Sequence, residues 1–170
     1  MIHTTAAESG GELLGWELML APGGRVPSSH AHPSQEERFT VVAGRMRFRV
    51  AGRRLIAEPG TTVTVPPGTV HSFANGGPDP ARVLVTTKPA LSMQELLETA
   101  AAMARDQHAA GRSRPRLLEL ALFMRDFEQE VRAPYLPAAP VRVFMRALAR
   151  VAAARGRDGS YRRARTVAGR

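Results

Sequence analysis

Two stretches that begin with glycine constrain this chain more than any other feature of its sequence. Residues 24–44 read GRVPSSHAHPSQEERFTVVAG, and residues 60–75 read GTTVTVPPGTVHSFAN. They contain three of the chain's five histidines and a glutamate pair: His30, His32, His71, Glu36 and Glu37. His30 and His32 are two residues apart, so on a strand their side chains point to the same side. Imidazole nitrogens and carboxylate oxygens commonly bind divalent metals, so the two stretches together predict a metal site.

A turn between the histidines and the glutamates decides which glutamate faces the site. Residues 33–35 are Pro, Ser and Gln, which favour a reversal of the strand that ends at His32. On one unbroken strand, the odd offset would put His32 and Glu37 on opposite faces. A turn resets the alternation and lets Glu37 face inward, whereas a different turn would select Glu36.

The two stretches resemble the paired motifs of the cupin family. The first motif is matched by Gly24, His30, His32, Glu37 and Gly44, and the second by Gly60, Pro66, Gly68, His71 and Asn75. All ten fixed positions agree, 15 residues separate the motifs, and the resemblance extends over about residues 10–90. It implies a β-barrel that holds one divalent metal ion through His30, His32, Glu37 and His71, and it favours Glu37 over Glu36.

Short alternating segments separated by Gly and Pro turns predict the same architecture. The expected strands are residues 13–20, 26–32, 38–43, 46–50, 55–57, 62–65, 71–75 and 81–87. We therefore expect a mainly β fold, an antiparallel double-stranded β-helix or jelly roll. The expected organisation is a flexible leader at 1–11, the barrel at 12–89, a helical extension at 90–155 and a basic, disordered tail at 156–170.

The pattern becomes helical after Pro89. Ser92 and Glu95 form a capping box before a helix that we expect to run to about Ala109. A second helix is expected at 116–131, with an apolar stripe of Leu117, Leu120, Ala121, Met124 and Phe127. Prolines 134, 137 and 140 suggest a rigid linker before a third helix at 141–154. There Phe144, Leu148 and Val151 share one face, and Arg142, Arg146 and Arg150 share another.

Apolar residues in phase with the metal ligands are the expected lining of the barrel. The predicted substrate-binding residues are Trp16, Phe39, Val41, Met46, Phe48 and Phe73. In a barrel these positions can bind the body of a small, largely apolar organic molecule, or they can simply fill the core. The Val26–His32 strand should place Ser28 on the same face as both histidines.

Composition restricts the compartment and the partners. The chain has no cysteine, which excludes disulfides and thiolate metal sites. We interpret the N-terminus as lacking a signal peptide and expect a cytoplasmic protein. Of the net charge of +9, residues 89–170 contribute +7. We expect a homodimer, allow for peripheral membrane contact through the basic third helix, and do not expect nucleic-acid binding, because stacking aromatics are scarce there.

Two functions remain open from the sequence. The first is a metal-dependent enzyme, a dioxygenase-type oxidoreductase with Glu37 as the catalytic residue; isomerase and cyclase activities are alternatives within the same family. Iron or manganese is the favoured metal, with nickel, copper or zinc also compatible with these ligands. The second is a non-catalytic binding or sensor protein whose helical half contacts a partner or a membrane surface. The sequence does not specify the substrate, the reaction or the native metal.

Overall fold

A computed structural model describes residues 1–26, 28–112, 116–134, 138–156 and 161. The strands are β1 Ile2–Thr4, β2 Leu14–Leu20, β3 Glu36–Ala43, β4 Met46–Val50, β5 Arg53–Ala57, β6 Thr62–Val65, β7 His71–Asn75 and β8 Ala81–Lys88. The helices are α1 Met93–Ala109, α2 Leu117–Asp126 and α3 Ala138–Ala154. The expected order, a run of short strands followed by three helices, is confirmed within this part of the chain, and seven of the expected strands are present.

The strands form two antiparallel sheets, as expected for a double-stranded β-helix. One sheet has the order β1-β2-β8-β3-β6, and the other has the order β5-β4-β7. The inward side chains of both sheets make one core cluster: Phe39, Val41, Met46, Phe48, Ala57, Val63, Val65, Ala81, Val83 and Val85. The arginines of β4 alternate with these positions and are exposed, which confirms the predicted pattern of that strand. The period-two alternation therefore decides which face of each strand becomes the core.

The register of β3 places Glu37 on the inner face. Glu37 is opposite Val65 of β6 on one side and Thr87 of β8 on the other. Phe39 follows two residues later and is completely buried, with ring centroids 5.3 Å from Phe48 and 5.2 Å from Phe73. Because side chains two residues apart share a face, the buried aromatic core and the carboxylate lie on the same side of the sheet.

Two expectations about the first thirty residues were wrong. The segment expected to be a loose leader contains β1, which pairs with β2 and places Ile2 opposite Trp16. The segment expected to be a strand at 26–32 has no regular ladder; His30 and Ala31 instead form isolated bridges, to His71 and Arg132. Ser28 is exposed and does not share the environment of buried His32. Pro27, within this segment, lies outside the described residues.

The ends of the helices differ from the prediction. Ser92, the expected N-cap, precedes α1 with φ −93° and ψ 25°, and its side chain makes no cap hydrogen bond. An N-cap residue usually has an extended backbone, which Ser92 lacks. Helix α2 ends at Asp126, five residues early. Helix α3 begins at Ala138 and takes Pro140 into its first turn, where a missing N–H costs nothing.

No helix among the described residues has the length and apolarity required to cross a membrane.

The buried faces of the helices are also shifted. In α2, Leu117 is 55% exposed, whereas Ala121 and Leu122 are buried. In α3, Phe144 is 57% exposed, and the buried residues are the small Ala149 and Ala152. Arginine side chains of α3 were expected on one face. Of these, Arg146 forms an ion pair with Glu128 at 2.7 Å, and the side chain of Arg142 lies outside the described part.

The chain forms two compact units, and each unit contains two separate segments of the sequence. One unit comprises Met1–Leu91 together with Gln129–Pro134; the other comprises Ser92–Glu128 and Tyr135–Arg170. We call Gln129–Pro134 the strap. It lies between α2 and α3 in sequence but belongs to the barrel, through a two-bond pairing of Arg132 with Ala31. The expected basic tail at 156–170 lies outside the described residues except for Gly156 and Tyr161.

The motif glycine at position 44 generates a stability prediction. Gly44 has φ +74°, and an added Cβ would lie 2.7 Å from both Ala81 Cα and Pro80 O. Gly52, in the β4–β5 turn, has a similar φ of +80° with nothing within 4 Å, so it is a matched control. We expect Gly52→Ala to lower the free energy of unfolding by about 1 to 2 kcal/mol through backbone strain alone. Gly44→Ala should cost at least about 1 kcal/mol more because of the clash.

Urea unfolding followed by Trp16 fluorescence measures this difference, because the chain has one tryptophan and it lies in the barrel. Equal destabilisation by the two variants would contradict the close approach of Gly44 to β8.

Candidate metal centre

Four side chains converge at one point inside the barrel: His30, His32, Glu37 and His71. One nitrogen or oxygen atom of each lies within 4.8 Å of the others, close enough for a shared metal ion. The last three are buried, and His30 is partly exposed. Since a ligand must enter from solvent, the His30 side is the open side of this cluster.

Backbone pairing places the first two rings. His30 and His71 form an antiparallel bridge, with His30 N donating to His71 O at 3.0 Å and His71 N donating to His30 O at 2.8 Å. The pair puts the two ring centroids 4.4 Å apart. The prediction that residues 30 and 71 approach each other is therefore satisfied by a single residue pair rather than by a continuous ladder.

His32 is held by two different backbone segments. Its carbonyl accepts a hydrogen bond from Gly68 N at 2.7 Å, in the turn before β7. Its ring Nδ1 faces the backbone carbonyl of Glu130 in the strap. Because a carbonyl only accepts, the proton of the His32 ring must be on Nδ1, and in the neutral ring Nε2 is then a lone-pair acceptor.

The same tautomer follows for the other two rings. His30 Nδ1 donates to Ser28 O at 3.2 Å, and His71 Nδ1 donates to Thr69 O at 3.1 Å. All three histidines therefore direct Nε2 into the cluster, the arrangement that metal-binding histidines adopt when a carbonyl holds the other nitrogen. Three imidazole acceptors and one carboxylate then face one another.

Among the described residues, the cluster has fewer hydrogen-bond donors than its acceptors need. Glu37 Oε2 lies 3.1 Å from His32 Nε2 and 3.1 Å from His71 Nε2. The His71 contact has hydrogen-bond geometry, but His32 Nε2 is buried and has no hydrogen-bond partner among the described residues. Buried acceptors without donors are costly, and a proton or a cation removes that cost. The donor set thus fits a divalent metal ion.

The pKa values of His30, His32 and Glu37 in the metal-free cluster are shifted by burial and by their close approach to one another. Burial, together with the neighbouring His71 and His32, lowers the pKa of His30 to about 4. Burial also opposes charge on His32, but the hydrogen-bonding contact and charge of Glu37 outweigh it and raise the pKa of His32. Burial would raise the pKa of Glu37, yet contacts with His32 and His71 lower it to about 2. The carboxylate is therefore ionised at neutral pH, as a metal ligand must be.

Thr87 and Trp16 orient the carboxylate from its other side, and the sequence analysis did not identify this chain of contacts. Thr87 Oγ1 donates to Glu37 Oε1 at 3.4 Å, and Trp16 Nε1 donates to Thr87 Oγ1 at 3.2 Å. Thr87 is fully buried. Its position opposite Glu37 in the β3–β8 register is the signal that could have revealed it, once the strand pairing was known.

Glu130 is the other residue that the sequence analysis missed. It is 98 residues from His32 in sequence, and it was expected only as part of the last turn of the second helix, at 116–131. No local pattern marks it, because a backbone carbonyl carries no residue-type signal. By contrast, Glu36 was left as an alternative ligand, and it is partly exposed and paired with Arg38 at 3.3 Å, outside the cluster.

The predicted substrate-binding residues divide into two groups. Four fill the core and are at most 2% exposed: Phe39, Val41, Met46 and Phe48. Trp16 and Phe73 are only partly buried against that core. Phe39 lies 6.2 Å from His71 between ring centroids, so the apolar core reaches the cluster. Contact of any of the six with a substrate stays a prediction.

The lowered pKa of His30 generates a pH prediction for the metal-free protein. Between pH 6.5 and about 4, the unfolded chain binds a proton at His30 that the folded chain does not. The free energy of unfolding should therefore fall as the pH falls through this window. His30→Asn should make that dependence shallower. His108→Asn, an exposed position in α1, is the control and should leave it unchanged. Urea unfolding in the presence of a chelator, followed by Trp16 fluorescence, measures it, and identical slopes for wild type and His30→Asn would contradict it.

Comparison with known proteins places this geometry in a family. The family described as "Cupin domain" matches residues 16–87. Both motifs lie within that range. No curated protein matches the chain.

Solved structures with the same type of domain include three from bacteria. An uncharacterised protein with a double-stranded β-helix domain from Klebsiella pneumoniae is 24% identical, over 48% of this chain and 70% of its own, with a TM-score of 0.45. A predicted oxalate decarboxylase from Thermotoga maritima is 22% identical over 51% and 75%, with a TM-score of 0.47. A sugar phosphate isomerase from Silicibacter pomeroyi is 23% identical over 51% and 57%, with a TM-score of 0.45.

The family match covers both motifs, and the sheets bring the four motif side chains together around one point. Residues 16–87 of this chain are therefore a cupin domain.

Proposed function

We propose that the barrel binds one divalent metal ion through His30, His32, Glu37 and His71, and that the bound metal makes the protein an enzyme. The observation that supports this most directly is the buried Nε2 of His32, which faces a carboxylate and two further imidazoles without a hydrogen-bond partner among the described residues. Three neutral imidazoles and one carboxylate leave a divalent ion with a net charge of about +1. Such a centre attracts an anionic or strongly polar oxygen donor.

The proposed reaction class is a dioxygenase-type oxidation of a small organic molecule. When bound, a divalent metal there supplies Lewis acidity to an oxygen donor, and iron or manganese also supplies redox chemistry with dioxygen. The protein would contribute a dry apolar wall near His71, formed by Phe39 and its aromatic neighbours. The partial exposure of His30 marks the side from which a substrate would approach.

Glu37 is the residue that we propose to act in chemistry as well as in binding. Its two oxygens have different partners: Oε2 faces the histidines, and Oε1 accepts from Thr87. A carboxylate held in this way can accept a proton from a substrate with one oxygen while the other stays fixed. The hydroxyl of Thr87 would hold the carboxylate in place during that exchange.

A sensor or binding protein is the second candidate, and the surface of α3 favours it. Val143 and Phe144 are 69% and 57% exposed, and Val151 is also exposed. An apolar strip beside arginines suits contact with a second copy, another protein or an anionic membrane surface. In this alternative the metal site would bind a ligand without turnover, and the helical unit would carry the contact.

Metal content is the first test of the proposal. We expect about one divalent ion per chain, measured by elemental analysis of protein purified without a histidine tag. His32→Ala and His71→Ala should each reduce occupancy at least about tenfold, because each removes a buried ligand. Glu37→Ala should do the same.

Glu36→Ala is the matched control, since Glu36 is the adjacent residue on β3 and lies outside the cluster. It should retain wild-type metal content. Full occupancy in all of the histidine variants would refute the proposed site, and a loss confined to Glu36→Ala would move the carboxylate ligand by one position.

Turnover is the second test, and Glu37→Gln separates metal binding from chemistry. Glutamine keeps the size and one oxygen donor but cannot accept a proton. We expect substantial metal retention with turnover reduced about 100-fold or more, the usual size of lost acid–base catalysis. Oxygen uptake and substrate loss, measured across diketones, flavonols, thiols and polyketides with each candidate metal, give the readout. If metal-loaded wild type consumes nothing across this panel, the sensor function is the better account.

A further inference from the structure

The strap contributes backbone atoms to the metal centre although it comes from the helical part of the sequence. Ala31 N donates to Arg132 O at 3.1 Å, and Arg132 N donates to Ala31 O at 2.9 Å. Ala31 lies between the two motif histidines of the first stretch. Two residues earlier in the strap, Glu130 places its carbonyl against the Nδ1 of His32. The strap therefore pairs with the very segment that carries His30 and His32.

The strap gives residues 26–32, which are not a regular strand, a backbone hydrogen-bonding partner. Residues 26–32 form no ladder with a neighbouring strand. Their described backbone is held by isolated bridges and by separate hydrogen bonds, from Val26 N to Phe73 O at 3.1 Å and from Gly68 N to His32 O at 2.7 Å. His30 is fixed by its bridge to His71, on one side of the segment. The backbone N–H and C=O of Ala31 point to the opposite side of the segment from those of His30. On that side they pair with Arg132 of the strap. Without the strap, the His32 ring would keep no described acceptor for its Nδ1 proton.

We propose that Glu130 is a positioning residue of the metal centre, acting through its backbone carbonyl, and that the Ala31–Arg132 pair clamps it in place. This inference rests on the proposed metal site. The carbonyl fixes both the tautomer and the rotation of the His32 ring, so Nε2 points to the metal before the metal arrives. Such partners of metal-bound histidines typically change metal affinity by about 10- to 100-fold when they are removed.

The clamp also couples the metal to the strap by linkage. If a docked strap improves metal binding, metal binding must stabilise the docked strap by the same factor. Release of the strap from the barrel would therefore weaken the metal site. A segment that lies between α2 and α3 in sequence thus has a role at the centre without any side-chain ligand.

A pair of substitutions at one position tests the clamp. Arg132→Pro removes the N–H that donates to Ala31 and leaves the rest of the strap sequence intact. Arg132→Ala is the matched control, because it removes the exposed side chain but keeps that N–H. With Zn²⁺ as the probe, we expect Arg132→Pro to weaken binding at least about tenfold in competition with a chelator, and Arg132→Ala to change it less than about threefold.

Two further measurements need no enzyme activity, and the second of them uses only the wild-type protein. In the metal-free protein, the hydrogen-bonded Nδ1 proton of His32 should be visible by NMR in wild type and Arg132→Ala, and lost or shifted in Arg132→Pro. In wild type, Zn²⁺ should slow hydrogen exchange at the amides of Ala31 and Arg132 more than at Gly76. The Gly76 amide donates to Arg45 O and reports general stabilisation of the barrel.

The outcomes distinguish the two proposals. If wild type binds Zn²⁺ and Arg132→Pro binds it equally well with an unchanged His32 proton, the clamp is overturned while the metal site stands. If Arg132→Pro does not fold, equal slowing of exchange at Arg132 and Gly76 in wild type overturns the clamp. If wild type binds no divalent metal, the proposed function fails and this inference fails with it.

Discussion

Three imidazole nitrogens and one carboxylate converge inside this barrel, and the rest of the structure holds them there. Backbone carbonyls fix the Nδ1 protons of His30, His32 and His71, which leaves three Nε2 lone pairs directed at the carboxylate of Glu37. In water such groups would separate and hydrate. Inside the barrel they stay together because each is attached to a backbone segment that is itself paired. A bound cation would relieve the mutual repulsion of these acceptors, which is why the donor set fits a divalent metal ion.

Each ligand depends on a different kind of support. Glu37 sits in a regular strand between two neighbours, so the sheet register fixes it. His71 begins a strand and shares one bridge with His30. His32 has the least regular support, since a turn holds its carbonyl and the strap holds its ring. The sensitivity of the centre to the rest of the chain should therefore be greatest at His32, whose buried Nε2 has no hydrogen-bond partner among the described residues.

The arrangement separates binding from reactivity within one carboxylate. One oxygen of Glu37 faces the histidines, and the other accepts from Thr87, which in turn accepts from Trp16. A group restrained from both ends can change its partner without leaving the site. Around it the core is aromatic and buried, so charge near His71 is poorly solvated and interacts strongly with the carboxylate. These features support the proposed role of Glu37 in chemistry.

The sequence by itself determined the barrel, because strand alternation and turn residues are local properties of the chain. The four ligands and the choice of Glu37 over Glu36 followed from the resemblance to the cupin motifs, since alternation alone left both glutamates open. Only the tertiary structure decided the partners of those side chains. Thr87 meets Glu37 through strand pairing 50 residues apart, and the Glu130 carbonyl meets His32 across 98. A backbone carbonyl is the same in every residue, so no pattern of residue types can announce where the folded chain will use one.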